Sequence, residues 1–308
     1  MIKKQLGQYY TRKNPFEHEA FYKWAKNSKL PKVKLLEPFA GSNHIINILQ
    51  EMDLCDEHTS FDIMPTNSNV GYRDTIKHFP QNYSVCVTNP PWLAKNIATY
   101  KGLDFPQTKH DNLYKLCLEL CLKNSQHLAI LLPESFIRAG IFTERLSDFI
   151  SITSSSIFQD TDSPVGLALF ENEIVKDTRV WSNNDYIGDL SKLLNTKPIA
   201  DKNTRVTFNR EDGNVGLIAL DNTKEASIRF CDVEELSDYK VKPTGRHITK
   251  IKVDGDVCID SWNDAINIFR DKTKDILITS YKGLRKDGMY RRRCDWGLAR
   301  GIINSYVN

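Results

Sequence analysis

Apolar residues in the first half of the chain fall into two alternating patterns, short continuous runs and runs at helical spacing. Val33–Leu36 is a short apolar run that stops at Glu37. Ile45, Ile46, Ile48, Leu49 and Met52 then recur at the spacing of one helix face. Ser60–Ile63 reads as a second strand, and Tyr83–Thr88 as another that stops at Asn-Pro-Pro. Leu113, Leu116, Cys117, Leu120 and Cys121 mark a helix face. His127–Leu132 reads as a strand stopped by Pro133. Ile152–Phe158 and Val165–Phe170 read as a closing hairpin around Asp160-Thr161-Asp162-Ser163-Pro164. Strands alternating with helices predict βαβ units, hence an α/β fold with a mostly parallel sheet.

Beyond Val175 the pattern changes. Turn residues become frequent, as in Asn183-Asn184-Asp185, Asp212-Gly213-Asn214 and Asp254-Gly255-Asp256, and helical periodicity weakens. A boundary within 171–180 is expected, dividing the chain into domains 1–175 and 176–308, the second smaller and less regular. The 308 residues, 40% hydrophobic and 26% charged, are enough for a sizeable core and exclude a disordered chain. No apolar run reaches the ~18 residues of a membrane span. Behind Lys3 and Lys4 there is no apolar run of signal-peptide length, which argues against secretion. The seven cysteines are odd in number, scattered and without Cys-x-x-Cys. That predicts reduced thiols in a cytoplasmic protein, with no metal site and no disulfide framework.

Charge adds an asymmetry. The net charge is +3, yet Tyr239–Asn308 holds 15 Lys/Arg against 8 Asp/Glu, a local net of +7. A polyanionic partner met from that end is one reading and a solvated basic face is the other. The run from Lys282 to Arg293 carries six positive charges and one negative, with Tyr281 and Tyr290 interleaved and Trp296 and Arg300 following. Lys282, Arg285, Lys286, Arg291, Arg292, Arg293 and Arg300 are the candidate contacts to a polyanion, DNA being one, although a nuclear-localisation run has the same composition. Lys240, Lys242, Arg246, His247 and Lys250 form a second, weaker basic cluster.

Candidate chemistry lies where predicted strands end, since ligands of open α/β sheets bind beyond the carboxyl ends of the strands. Glu37-Pro38-Phe39-Ala40-Gly41-Ser42-Asn43 links a strand to a helix; Gly41 permits close backbone approach, and the Glu37 carboxylate suits a ligand ammonium group. Asp62 ends the second strand, where an acid can accept hydrogen bonds from ribose hydroxyls. Asn89-Pro90-Pro91-Trp92 carries the most information. Each proline removes an N–H and fixes φ, and each forces the residue before it into an extended conformation. The result is a stiff loop that aims the Asn89 side chain and the Asn89 and Pro90 carbonyls and presents the flat face of Trp92.

The ordered set Gly7-Gln8-Tyr9-Tyr10-Thr11, Glu37-Pro38-Phe39-Ala40-Gly41 and Asn89-Pro90-Pro91-Trp92 resembles the adenine-N6 DNA methyltransferases that use S-adenosyl-L-methionine. The order of motifs is similar to that of the γ class, and the resemblance covers roughly residues 6–170. It implies a Rossmann-like methyltransferase domain followed by a target-recognition domain. It also implies that Tyr10 and Thr11 close over the methionine moiety, and that Glu37 and the backbone of Phe39, Ala40 and Gly41 line its amino-acid end. By the same resemblance Asp62 binds the ribose, Ile63 packs on the adenine, and Asp74 reads the adenine amine. Asp74 reads equally as a helix N-cap. Phe158 resembles the second wall of a target-base pocket and reads equally as a core residue. Asn43 departs from the pattern, since many relatives have a second glycine there.

The residue types suit the implied reaction. The N6 lone pair of adenine is delocalised into the ring; two acceptors, the Asn89 side-chain oxygen and the Pro90 carbonyl, can bind its two hydrogens and localise that pair. The remaining acceleration is alignment of nucleophile, methyl and leaving sulfur. The target base must leave the duplex, and stacking on Trp92 offsets part of that cost. Double-stranded DNA is therefore the expected partner, with no membrane or metal. A modification enzyme can treat one hemimethylated strand at a time, so a monomer suffices, and a cognate restriction endonuclease sharing the site is expected. Methyl transfer to RNA or to a protein glutamine shares the Asn-Pro-Pro-aromatic loop, and a non-catalytic DNA-binding subunit shares the fold.

Overall fold

The computed structural model describes residues 14–153, 164–199 and 205–305. Tyr10, Thr11 and Phe158 lie outside the described residues. Two compact units divide the chain after Tyr186.

Among the described residues, the first unit opens with α1 (Glu19–Asn27), followed by β1 (Leu35–Glu37), α2 (His44–Glu51), β2 (His58–Asp62) and β3 (Gly71–Tyr72). Next come β4 (Val85–Thr88), α3 (Lys95–Tyr100), α4 (Leu113–Asn124) and β5 (His127–Pro133). Strands β6 (Leu146–Ile152), β7 (Val165–Phe170) and β8 (Arg179–Ser182) follow, and the division falls within β9 (Asp185–Asp189). The nine strands form one sheet in the order β3-β2-β1-β4-β5-β7-β6-β8-β9. Strands β3, β2, β1, β4 and β5 run parallel to one another, while β7 is antiparallel to both β5 and β6. This is the expected mostly parallel, Rossmann-like α/β sheet.

Strand alternation divides the buried side chains between the two faces. Leu35, Val85, Val87, Ala129 and Leu131 meet α1 and α2 through Phe21, Trp24, Ile46 and Leu49. Trp24 Nε1 donates to the Phe170 carbonyl at 3.0 Å, which pins α1 to β7. Cys86, Leu128, Ile130 and Leu132 are buried by the opposite alternation, and α4 packs on β5. The continuous apolar runs of β4 and β5 follow from burial on both faces.

Two expectations change. The closing hairpin is built from β6 and β7, so its first strand is Leu146–Ile152 and not Ile152–Phe158. Its polar Ser147, Asp148 and Ser151 broke the apolar run, yet all three are buried with partners. Asp148 takes the Arg179 guanidinium through both oxygens at 2.7 Å and Trp181 Nε1 at 2.9 Å. The division also falls later than 175, because β8 and β9 extend the sheet beyond β6.

The second unit holds a four-stranded antiparallel sheet of β10 (Val206–Phe208), β13 (Ile248–Val253), β11 (Val215–Ile218) and β12 (Arg229–Cys231). Helix α5 (Leu190–Asn195) precedes it; α6 (Ile259–Thr273) packs on β12 and α7 (Trp296–Asn304). A hairpin of β14 (Thr279–Leu284) and β15 (Tyr290–Arg293) carries the basic run.

Two arginines of that run are interior residues, which corrects their reading as DNA contacts. Arg285 and Arg292 are 8% and 1% exposed. Arg285 donates to Asp221 at 3.1 Å and pairs with Asp287 at 2.8 Å; the Arg292 backbone N–H donates to Asp221 at 3.0 Å. Fully buried Asp221 also takes Arg270 through both oxygens at 2.8 and 2.9 Å. Burial acts to raise the Asp221 carboxyl, but Arg270 and the Ser227 and Arg292 N–H groups outweigh it and hold it below its usual range. Its contribution to stability is therefore present at neutral pH and is lost as pH falls through the depressed value.

Asp221→Ala leaves two buried guanidinium groups without their shared carboxylate. The expected loss is about 3–5 kcal/mol, read as a lower thermal midpoint for the second unit. A midpoint equal to that of the unaltered chain contradicts the network's role.

Candidate functional site

The order of the first strands reverses at β1, whose neighbours are β2 on one side and β4 on the other. A crevice forms beyond the carboxyl ends at such a point. Here it is a cavity of about 520 Å³ within the first unit. Its wall brings together Phe39, Ala40 and Gly41 after β1, Asp62 and Ile63 after β2, and Asp74, as well as Asn89 and Pro91 after β4.

Backbone geometry explains the first loop. Gly41 has φ 53° and Asn43 has φ 66°, both in the left-handed region. Asparagine tolerates that region better than other non-glycine residues, so Asn43 fills a position that glycine would otherwise take. The Asn43 N–H donates to the Ala40 carbonyl at 2.7 Å and closes the turn into α2.

Asp62 ties two loops together. One carboxylate oxygen accepts from the Gly41 N–H at 2.8 Å and the other from the Met64 N–H at 2.7 Å. The Ala40 N–H donates to the Phe61 carbonyl at 2.9 Å, and Thr75 Oγ1 donates to the Pro38 carbonyl at 2.9 Å. Each Asp62 oxygen has further acceptor capacity, so this structural use does not exhaust it. Ile63, 47% exposed, offers an apolar side chain at the cavity.

Glu37 ends β1 and is fully buried. One oxygen accepts from Thr88 Oγ1 at 2.5 Å and from the Phe39 N–H at 3.2 Å, joining the ends of β1 and β4. The other is buried with no hydrogen-bond partner among the described residues. Burial pushes the carboxyl up to about 8 and Asp62 adds to the rise, against the bonds from Thr88 and Phe39. Glu37 is not itself among the residues that line the cavity.

Asp74 acts as a cap, and its reading as a cofactor contact is left to its position on the cavity wall. It lines the cavity and also caps the following turn, accepting from the Lys77 N–H at 3.2 Å and facing the Lys77 ammonium at 3.2 Å. Slight burial acts to raise its carboxyl, but the Lys77 and Ile76 N–H groups and the Lys77 ammonium hold it below the usual range.

The Asn89-Pro90-Pro91-Trp92 loop is anchored just beyond its end. The Leu113 N–H donates to the Leu93 carbonyl at 2.8 Å, and the Lys95 N–H to the Asp111 carbonyl at 2.8 Å. Asn89 and Pro91 line the cavity, and Pro90 is buried. Trp92 is half-buried and packs against the apolar cluster beneath α1 and α2; it is not part of this wall. Asp104, Phe105 and Pro106 form a wall that sequence reasoning missed. Their only signal was a Phe-Pro pair in a stretch without periodicity.

The remaining predicted contacts lie in the second unit. Lys282 and Lys286 are exposed on the hairpin, Arg291 and Arg293 are half-buried on β15, and Arg300 lies 5.5 Å from the Phe208 ring centre. Among the described residues no group of His, Cys, Asp or Glu is arranged to hold a metal ion.

Asp62→Ala removes an acceptor from two loops at once. The expected cost is about 1–3 kcal/mol per lost charged bond, with a smaller loss for Asp62→Asn, both measured by thermal unfolding. An unchanged midpoint in the alanine variant contradicts the tie.

No family model and no curated protein matches the chain. Among solved structures it is similar to a modification subunit provisionally assigned to a type I restriction enzyme of Vibrio vulnificus. That likeness has 13% identity and a TM-score of 0.41, covering 57% of this chain and 47% of the other. A type I restriction–modification methyltransferase subunit from Streptococcus thermophilus gives 15% identity, a TM-score of 0.38, and 61% and 53% coverage. A Listeria monocytogenes protein, provisionally assigned as a class I S-adenosylmethionine-dependent methyltransferase, gives 12%, 0.37, and 54% and 64%. The chain thus spans less than two thirds of each of these structures. Likenesses this distant carry no assignment, so function has to be argued from the chain's own residues.

Proposed function

We propose that this chain is a site-specific DNA methyltransferase that moves a methyl group from S-adenosyl-L-methionine to adenine N6 in duplex DNA, as the modification enzyme of a restriction–modification system. One observation carries the reading. The Asn89-Pro90-Pro91 loop shares a cavity wall with the Gly41 turn and Asp62, at the reversal point of the sheet. The loop proposed to hold the adenine amine and the loops proposed to hold the cofactor would thus face one cavity. The restriction–modification role rests on the motif resemblance alone.

The residues present fit the cofactor. Glu37 would take the methionine ammonium on its orphaned oxygen, and Asp62 the ribose hydroxyls on its remaining acceptor capacity. Ile63 and Asp74 would take the apolar face and the amine of the adenine. When bound, S-adenosyl-L-methionine supplies an activated methyl on a sulfonium. The protein's part is positional: Asn89 and the Pro90 carbonyl hold the two N6 hydrogens, localise the nitrogen lone pair and aim it. Rigidity of the double proline keeps that geometry set before the base arrives.

Asn89→Ala removes one of the two acceptors. Single-turnover methyl transfer should fall by about 10²–10³, the range for losing one preorganised hydrogen-bond partner at a reacting group. Affinity for S-adenosyl-L-methionine should stay near its starting value. Transfer at the unaltered rate contradicts the mechanism.

Glu37 gives binding a pH signature. Without a bound cation its carboxyl keeps a proton between its ordinary value of 4.5 and about 8. The native state holds more protons than the unfolded chain in that window, so stability falls as pH rises across it. A docked ammonium favours the carboxylate, so binding releases a proton. Affinity then rises with pH, by up to roughly tenfold per unit below the raised value. Titration calorimetry in buffers of different ionisation enthalpy measures the release, and Glu37→Gln should abolish it. Binding of S-adenosyl-L-methionine without proton exchange contradicts the assigned role of Glu37.

A further inference from the structure

With Arg285 and Arg292 buried, the basic run no longer explains how the second unit would meet a polyanion. A different cluster does. Phe208 and Trp296 stack at 4.9 Å with planes 9° apart. Arg246 lies 5.7 Å from the Trp296 ring centre and Arg300 lies 5.5 Å from that of Phe208. The adjacent His247 meets the Tyr281 ring edge-on at 5.1 Å, and Arg291 lies over that ring at 5.2 Å. The backbone fixes these groups together. The Ala219 N–H donates to the His247 carbonyl at 2.7 Å, and the Cys294 N–H to the Ala219 carbonyl at 2.8 Å.

We propose that the face formed by Arg246, His247, Tyr281, Arg291, Trp296 and Arg300 is the surface through which the second unit holds the phosphate backbone of duplex DNA. Duplex DNA as the particular polyanion rests on the methyltransferase reading; the preference for a polyanion rests on the face itself. Charge is the first argument. The charged groups acting on His247 are Arg293, Arg291 and Lys242, all cations. Two acids lie close by in the chain: Asp221 is buried and committed to Arg270 and Arg285, and half-buried Asp295, next to Trp296, accepts from Thr279 Oγ1 at 3.0 Å and the Leu298 N–H at 3.0 Å. Among the described residues, Arg246, Arg293 and Arg300 make no ion pair.

Preorganisation is the second argument. A free surface arginine loses rotamer entropy when it grips a phosphate. Stacking on an aromatic face holds the guanidinium plane in place and leaves its edge N–H groups for an anion. Arg291 is fixed further, since its Nε donates to the Asp221 carbonyl at 2.8 Å. The hairpin tip lacks these features: Arg285 is neutralised by Asp287, and Lys282 and Lys286 project without a platform.

His247 makes the face sensitive to pH. Partial burial and then the surrounding cations lower its pKa from 6.5 in the free protein. A phosphate beside it favours the imidazolium, so binding takes up a proton and tightens as pH falls.

The test is fluorescence anisotropy of a labelled DNA duplex with the full chain, over a salt series and at two pH values. Arg246→Gln with Arg300→Gln keeps most of the aliphatic stem over each ring while removing the charge. This double variant should bind at least about tenfold more weakly, with the salt slope reduced by one to two units, at roughly 0.9 per lost phosphate contact. Lys282→Ala with Lys286→Ala should lose less on both counts. His247→Gln should abolish the tightening at lower pH. Thermal midpoints of all variants confirm that they are folded. Unchanged affinity and slope in the arginine variant, or a larger loss in the lysine variant, overturns the proposal; so does failure of the unaltered chain to bind duplex. If the chain binds duplex through this face but methylates no DNA, the methyltransferase reading falls and this one stands.

Discussion

Two buried carboxylates hold the open end of the sheet. Where β1 parts from β2 and β4, three loops leave the strands, and their backbone N–H groups need acceptors. Asp62 takes those of Gly41 and Met64; Glu37 takes that of Phe39 and the hydroxyl of Thr88. The same geometry leaves acceptor capacity over, most plainly on the second oxygen of Glu37. The proposed cofactor would use that capacity for its ammonium and ribose hydroxyl groups.

The strand-end residues were legible because their signals are local. A glycine that must turn, an acid that ends a strand and two prolines that stiffen a loop each act within a few residues. Phe39, Ala40, Gly41, Asp62, Ile63, Asp74, Asn89 and Pro91 accordingly meet in one cavity. Asp104, Phe105 and Pro106 were not legible, since a loop returning to a cavity carries no period. Strand β6 was misplaced because its polar residues are satisfied by partners distant in sequence, Arg179 and Trp181 for Asp148 and Glu134 for Ser151.

The second unit shows the same limit more sharply. A run of arginines reads as a surface for polyanions, yet alternation along β15 sends Arg292 inward, and Asp221 draws Arg285 into an interior network. Charge counted along a sequence is not charge on a surface. The groups that do form an unneutralised face, Arg246 and His247 just before β13 and Arg300 on α7, are distant in sequence and are brought together by the aromatic side chains between them.

The central claim is that the crevice beyond β1 and β4 brings a methyl donor to an adenine amine. Its most direct test is to incubate duplex DNA with the chain and isotopically methyl-labelled S-adenosyl-L-methionine, digest the DNA to nucleosides and identify the labelled product by mass spectrometry. The account predicts label in N6-methyldeoxyadenosine alone. Label in a different nucleoside or none in DNA, with the cofactor shown to bind, would contradict it.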